Sequence, residues 1–296
     1  MAVATGQLTR PQATAQDKER LSGFDAAMKY LAYAVLILFA LAMFVPFWFS
    51  VSTSFKTAAE VNAPTLRSLV WPVNMTTAAY TEVFDSDILR WFINSAFVAA
   101  CWVVGRAVAD SMAGYAFARM RFPGKDLVFL MVLSTLMIPG MVTLIPKFIL
   151  LKNLHLLDSY GAITIPFLSS AFGIFLMKQF FESIPVELEE AARVDGASRY
   201  RMFAQIILPN AMPALTALAI FSFQGSWNAF LEPLIFINDP NLRTLPLGLA
   251  YFRQTYYTDW PTLMAIAVIT TIPIAIFFII FQRWFVEGQT TSGIKG

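Results

Sequence analysis

The chain has 296 residues, of which 57% are hydrophobic and only 14% are charged, and its mean hydropathy is +0.62. These values exclude an ordinary soluble domain and predict an integral membrane protein. The net charge of +2 provides no overall field that would attract nucleic acid. The single cysteine, Cys101, excludes an intrachain disulfide and a cysteine metal cluster.

Apolar stretches predict six transmembrane helices, each near the roughly 20 residues that cross a bilayer. The stretches cover residues 30–52, 91–117, 127–146, 160–181, 211–231 and 260–281. No alternating pattern typical of a barrel strand occurs, so the predicted fold class is an all-α integral membrane protein. Residues 1–28 are polar and are predicted to form a cytoplasmic N-terminal tail, which leaves 29–296 as the transmembrane domain.

Lysine and arginine are distributed unevenly between the predicted loops. With the N-terminus inside, thirteen lie on the inner side and seven on the outer side, while Arg106 lies within a span. Basic residues concentrate in cytoplasmic loops. Both termini and the polar loop at residues 182–210 are therefore predicted to face the cytoplasm.

This 182–210 loop is predicted to form two short helices with a break between them. Ser183 is expected to cap the first helix, and Pro185 suits its first turn. Gly196 provides the left-handed stop, and Pro209 is expected to end the second helix. The predicted apolar face of the first helix is Leu188, Ala191 and Ala192, the opposite face is Glu189, Glu190 and Arg193, and the apolar stripe of the second helix is Tyr200, Phe203, Ala204 and Ile207.

Polar side chains also occur inside the predicted spans. Arg106 and Asp110 lie four residues apart and can pair on one helix face, either as a structural pair or as part of a proton or ion relay. On the fifth span, Gln224, Trp227 and Asn228 could bind and stack against a polar, ring-shaped solute, or could hold membrane helices together. The fourth span offers Ser169 and Ser170 as weaker candidates of the same kind.

The segment between the fifth and sixth spans is rich in turn residues and aromatic residues. Its exposed aromatic side chains would suit a docking surface on the outer face. An interfacial belt explains Tyr256, Tyr257 and Trp260 equally well.

The 182–210 loop carries a long motif: E-A-A, three residues, G, nine residues, then I-x-L-P. It resembles the signature of the membrane subunits of ATP-binding-cassette importers. The matching residues are Glu190, Ala191, Ala192, Gly196, Ile206, Leu208 and Pro209, with Asp195 beside the glycine. The resemblance implies the type I importer permease fold and assigns these eight residues to coupling helices that dock on an ATPase subunit.

Shorter motifs across the chain are similar to the maltose-type carbohydrate permeases. They are S-F-K at 54–56, W-F-I-N-S at 91–95, Y-A-F-A-R at 115–119, W-N at 227–228, T-L-P at 244–246, Q-R at 282–283 and the terminal G-Q-T-T-S-G-I-K-G at 288–296. This resemblance implies a bacterial or archaeal cytoplasmic membrane and a heterodimer with a second permease. It also implies two ATPase subunits and an extracytoplasmic solute-binding protein.

Several catalytic motifs are absent from the sequence. Without a G-x-x-x-x-G-K-[ST] loop the chain is not expected to hydrolyse ATP itself, and no cofactor is expected. The only histidine, His155, has no nearby set of metal ligands, so no metal site is expected. The alternatives to sugar import are a permease for a polyol phosphate such as glycerol 3-phosphate and, in a different class, an ion-coupled secondary transporter.

Overall fold

The computed structural model describes residues 15–255 and 259–292, with side chains over 25–251 and 259–282. None of the described residues lies in a β-strand, which confirms the all-α prediction. Residues 1–14 of the predicted tail, Tyr256, Tyr257 and the terminal residues 293–296 lie outside the described residues.

Sixteen α-helices account for most of the described chain. The first eight are α1 (Ala15–Ser54), α2 (Ala58–Asn62), α3 (Leu66–Val70), α4 (Ala78–Asp85), α5 (Ile88–Arg119), α6 (Lys125–Ser134), α7 (Gly140–Asn153) and α8 (Tyr160–Thr164). The others are α9 (Ala171–Ser183), α10 (Glu187–Val194), α11 (Arg199–Met202), α12 (Leu208–Asn210), α13 (Met212–Trp227), α14 (Leu231–Phe236), α15 (Leu245–Thr255) and α16 (Trp260–Ser292). Helix α1 begins at Ala15, so helical structure extends into the predicted tail.

Four stretches of helix are long and apolar enough to cross a membrane: Asp25–Ser54, Ile88–Arg119, Tyr160–Ser183 and Trp260–Gln282. They correspond to the first, second, fourth and sixth predicted spans. The third prediction falls on a bent pair of helices, and the fifth falls on the second helix of another bent pair. The described chain therefore has up to six spans if each pair counts as one.

The third predicted span is bent. Lys125–Met137 and Gly140–Asn153 meet at 104°, so residues 127–146 do not form the single helix that was expected. The break lies at Ile138, which is extended, and at Pro139, which has no N–H to donate.

The fifth predicted span is shorter than expected. Arg199–Asn210 and Met212–Trp227 meet at 79°, and α13 ends at Trp227 instead of continuing to residue 231.

The fourth span contains a break of its own. A 3₁₀ turn, Ile165–Phe167, follows α8, and the residues between this turn and α9 are not helical. The hydroxyl of Ser170 accepts a hydrogen bond from the Gly173 amide at 3.0 Å and so caps α9. The span therefore consists of two half-helices.

Helix α5 lies at the centre of the bundle, where it packs against α9 and α13. At one end the ring of Trp91 occupies the space in front of Gly248, where a Cβ would lie only 2.1 Å from the indole. Helix α1 packs along α16 and leaves most of its apolar surface exposed, as expected for a helix that contacts lipid.

Candidate coupling loop and solute path

The break at Gly196 has the geometry that the sequence predicted. Its φ is +77°, and no atom lies within 4 Å of the position a Cβ would take. The Gly196 amide donates to the Arg193 carbonyl at 3.1 Å, and the Ala197 amide donates to the Ala192 carbonyl at 3.0 Å. Together these bonds form a Schellman motif, which ends α10 and sets the direction of the chain towards α11.

The beginning of α10 differs from the prediction. Ser183 is the last residue of α9, where its hydroxyl donates to the Phe180 carbonyl at 2.7 Å, so it does not cap α10. Val186 occupies the N-cap position and has no capping side chain, while Pro185 precedes the helix.

The two faces of α10 are also not as predicted. Glu189 is 5% exposed and Ala192 is 6% exposed, whereas Leu188 is 43% exposed. Glu189 lies inward because its carboxylate forms an ion pair with Arg119, with Oε1 3.0 Å from Nε. A salt bridge with a distant helix therefore decides which face of α10 is buried.

The second half of the loop is wound more loosely than an ordinary helix. A π-helical turn, Phe203–Ile207, joins α11 to α12, and Ile207 is fully buried beneath it. Pro209 lies in the first turn of α12, and the helical stretch ends one residue later, at Asn210. Of the predicted stripe, Tyr200 is instead 77% exposed.

The exposed surface of the 182–210 loop mixes charged and apolar side chains. Glu190 and Ala191 are exposed, and Val194 is 88% exposed. Exposed apolar groups that sit on a backbone fixed by a Schellman motif are typical of a docking surface for another protein.

Two of the three predicted solute-path residues lie at the surface of α13. Gln224 and Asn228 are exposed. Asn228 is the C-cap residue that follows α13, and its backbone amide donates to the Gln224 carbonyl at 3.1 Å. Gln224 lines a largely apolar cavity of about 600 Å³ that Phe44 of α1 and Phe278 of α16 also line. The two polar side chains are therefore available to contact a solute or a neighbouring subunit.

Trp227 is the exception among the predicted solute-path residues. Its side chain is 1% exposed, its ring stacks on Phe223 with centroids 5.3 Å apart, and its Nε1 donates to the Thr270 carbonyl at 3.1 Å. It belongs to the packing between α13 and α16.

Arg106 and Asp110 do not form an ion pair. Among the residues that the structure describes, the ion pairs are Arg119–Glu189 and Lys178–Glu182. Arg106 instead donates from Nε to the Phe167 carbonyl at 3.0 Å, and its guanidinium lies 4.6 Å from the ring centroid of Trp102.

Asp110 accepts hydrogen bonds from the non-helical residues in the middle of the fourth span. Its Oδ1 accepts from the Ser169 hydroxyl at 2.6 Å and from the Ser170 amide at 2.9 Å, and its Oδ2 accepts from the Ser170 hydroxyl at 3.1 Å. The two serines, predicted as weak solute-path candidates, therefore bind Asp110.

The W-F-I-N-S motif at 91–95 and the T-L-P motif at 244–246 meet at the opposite end of the bundle from the 182–210 loop. Asn94 donates from Nδ2 to the carbonyls of Asn241 and Arg243, both at 2.8 Å, and the Leu245 amide donates to the Ser95 hydroxyl at 2.8 Å. The W-F-I-N-S motif therefore holds the segment that precedes α15. The sequence does not predict this contact, because the partners lie about 150 residues apart.

No group of three or more potential metal ligands occurs among the described residues. The described residues thus form a bundle of apolar helices with a structured polar loop at one end and a hydrogen-bonded segment at the other. The chain belongs to the family of binding-protein-dependent transport system inner membrane components, which matches residues 110–290. It is thus a membrane permease subunit.

Curated relatives and solved structures agree with this family. The chain is 35% identical to the arabinooligosaccharides transport system permease protein AraQ of Halalkalibacterium halodurans, over 90% of this chain and 97% of the relative. It is 37% identical to the sn-glycerol-3-phosphate transport system permease protein UgpE of Yersinia pestis, over 68% of this chain and 72% of the relative. A crystal structure of a bacterial transporter that imports the acidic polysaccharide alginate contains a chain that is 25% identical, with a TM-score of 0.77, covering 93% of this chain and 100% of that one.

Proposed function

We propose that this chain is the permease subunit of an ATP-driven importer that moves a sugar or oligosaccharide across the cytoplasmic membrane. In this proposal it pairs with a second, homologous permease and works with two ATPase subunits and an extracytoplasmic solute-binding protein. The 182–210 loop docks on one ATPase subunit. The observation that carries the proposal is the exposure of Glu190, Val194 and Tyr200 on a loop whose direction is fixed at Gly196.

The polar groups on α13 favour an uncharged solute. Gln224 and Asn228 are exposed amides, which suit sugar hydroxyls because an amide both donates and accepts hydrogen bonds. Cationic side chains form the strongest hydrogen bonds to a phosphate ester, and α13 (Met212–Trp227) contains no lysine or arginine. This argument places a carbohydrate ahead of glycerol 3-phosphate, the solute in the name of one relative.

An ion-coupled mechanism is disfavoured by the contacts of the ionisable groups within the second span. Asp110 is engaged by two serines, and Arg106 is engaged by a carbonyl and an indole ring. The family assignment likewise points to a binding-protein-dependent system.

Purification and reconstitution test the proposal. The tagged chain, isolated from its own cells, is expected to carry an ATPase subunit and a second permease with it. In proteoliposomes, the binding protein loaded with oligosaccharide should stimulate ATP hydrolysis and solute uptake. If glycerol 3-phosphate stimulates hydrolysis and uptake and oligosaccharides do not, the carbohydrate assignment is overturned. If the chain transports solute without any ATPase subunit, the ATP-driven mechanism is overturned.

A further inference from the structure

Helix α5 contacts both ends of α9 through charged side chains. Asp110 accepts hydrogen bonds from Ser169 and Ser170 just before α9 begins. Arg119 donates from Nη2 to the Phe181 carbonyl at 2.7 Å and to the Ile184 carbonyl, at the point where α9 ends. A carboxylate at the N-terminus and a guanidinium at the C-terminus both match the dipole of a helix.

Between these two contacts the backbones of α5 and α9 approach closely. A Cβ on Gly114 would lie 2.7 Å from the Cβ of Met177 and 3.0 Å from the amide nitrogen of Lys178. Met177 itself is fully buried. The two helices therefore have no room to slide past each other over the interval from Asp110 to Arg119, which rises about 14 Å along α5.

Arg119 also binds the first helix of the 182–210 loop. Its Nε lies 3.0 Å from Oε1 of Glu189, and the hydroxyl of Tyr115 donates to Oε2 of Glu189 at 3.4 Å. One guanidinium thus contacts carbonyls at the end of α9 and a carboxylate in the first turn of α10. Because a buried carboxylate without its partner is costly, this arrangement fixes the angle between the two helices.

We propose that Asp110 and Arg119 are positioning residues that join α5, α9 and α10 into one rigid lever. A displacement of α10 would then be carried along α9 to the break at residues 165–170 in the interior of the fourth span. This inference rests on the proposed function, because the displacement is the one that the docked ATPase subunit would produce.

The test is the amount of solute transported per ATP hydrolysed by the complete reconstituted complex. Glu189→Gln preserves the volume of the side chain but removes the charge that binds Arg119. Asp110→Ala removes the carboxylate at the other end of the lever. Both assembled complexes should still hydrolyse ATP, while solute moved per ATP falls roughly tenfold, because mutations along a coupling route change coupling by factors of this order.

The matched control is the other ion pair, Lys178–Glu182, which lies on α9 itself with Nζ 2.7 Å from Oε1. Lys178→Gln, which breaks this pair outside the 182–210 loop, should retain the native ratio of solute to ATP. If Asp110 and Glu189 had only a structural role, their substitution would lower the yield of assembled complex. The ratio of solute to ATP in the complex that still assembles would be unchanged.

The outcomes separate this inference from the proposed function. If Glu189→Gln assembles and shows the native ratio of solute to ATP, the proposed lever is contradicted, while the proposed importer function is unaffected. If Asp110→Ala does not assemble, the ratio measured for Glu189→Gln is sufficient to test the lever. If the native complex shows no hydrolysis stimulated by loaded binding protein, the proposed function fails instead.

Discussion

The carboxylate of Asp110 depends on a glycine in the helix opposite it. A Cβ built on Gly173 would lie 1.9 Å from Oδ2 of Asp110 and 2.8 Å from Cδ1 of Leu218. Asp110 is fully buried, so it has no free space into which to retreat. Glycine at this position is therefore what allows the carboxylate to bind Ser169 and Ser170.

Replacing this glycine should destabilise the bundle. Gly173→Ala forces Asp110 or the backbone of α9 to move, and overpacking of this kind costs about 1–3 kcal/mol. Thermal unfolding of the purified protein should show a lower midpoint. Gly225→Ala is the matched control, since the nearest atom to its Cβ would be 3.8 Å away and alanine favours the helix. Equal midpoints for the two variants would contradict the argument.

The exposed amide of Asn228 offers a second prediction at the level of single residues. Asn228→Leu should raise the solute concentration needed for half-maximal transport, because the loss of one hydrogen bond costs about 0.5–1.5 kcal/mol. The complex should still assemble, since the side chain is exposed. Asn74→Leu, at an exposed asparagine between α3 and α4, serves as the control. Unchanged uptake kinetics in Asn228→Leu would remove this residue from the solute path.

The conformation of some of these residues follows from the residue itself and could be predicted. The burial and the partners of the others depend on contacts that are distant in sequence. Gly196 was predicted correctly because a positive φ depends on the residue itself. The burial of Glu189 was not predicted, because its partner Arg119 is 70 positions earlier and a helical wheel contains no tertiary information. The same limit applies to Asp110, whose bonds to Ser169 and Ser170 took the place of a local pairing with Arg106.

At the scale of elements, hydropathy located the membrane helices but not their breaks. The third predicted span is bent at Pro139, the fourth is interrupted at residues 165–170, and the fifth ends early at Trp227. A run of apolar residues remains apolar through a break. Length and composition alone therefore predict a straight helix wherever the interruption is short.

The break between α10 and α11 can be tested with a pair of glycines. Gly196 has φ +77° and Gly124 has φ +76°, and neither has an atom within 4 Å of its Cβ position. Valine at either site is strained by the same backbone conformation, at a cost of about 1–3 kcal/mol.

Because the strain is matched, only the location differs between the two variants. Gly196→Val should disturb the relative direction of the docking helices, and both transport and stimulated ATP hydrolysis should fall. Gly124→Val should lower stability to a similar degree while the surviving complex keeps normal coupling. If both variants retain full coupling, the 182–210 loop is not the element that contacts the ATPase.

At the scale of the whole molecule, the two ends of the bundle have different characters. One end carries the 182–210 loop, which is rich in charge and exposed. The other end carries the segment before α15, which Asn94, Ser95 and Asp158 hold through backbone amides and carbonyls. Helix α5 spans the distance between them, with Asn94 near its first turns and Arg119 as its last residue. This arrangement is consistent with a transport subunit that meets different partners on its two sides.

The orientation of this bundle in the membrane is predicted from the excess of lysine and arginine on the side of the 182–210 loop. Asn241 and Ser198 are both exposed and lie at opposite ends of the bundle. In a background that carries Cys101→Ser, a membrane-impermeant thiol reagent on intact cells should label Asn241→Cys but not Ser198→Cys. Permeabilised cells provide the control, because the reagent should then reach both cysteines. Labelling of Ser198→Cys in intact cells would reverse the assignment and place the loop on the side that has no ATP.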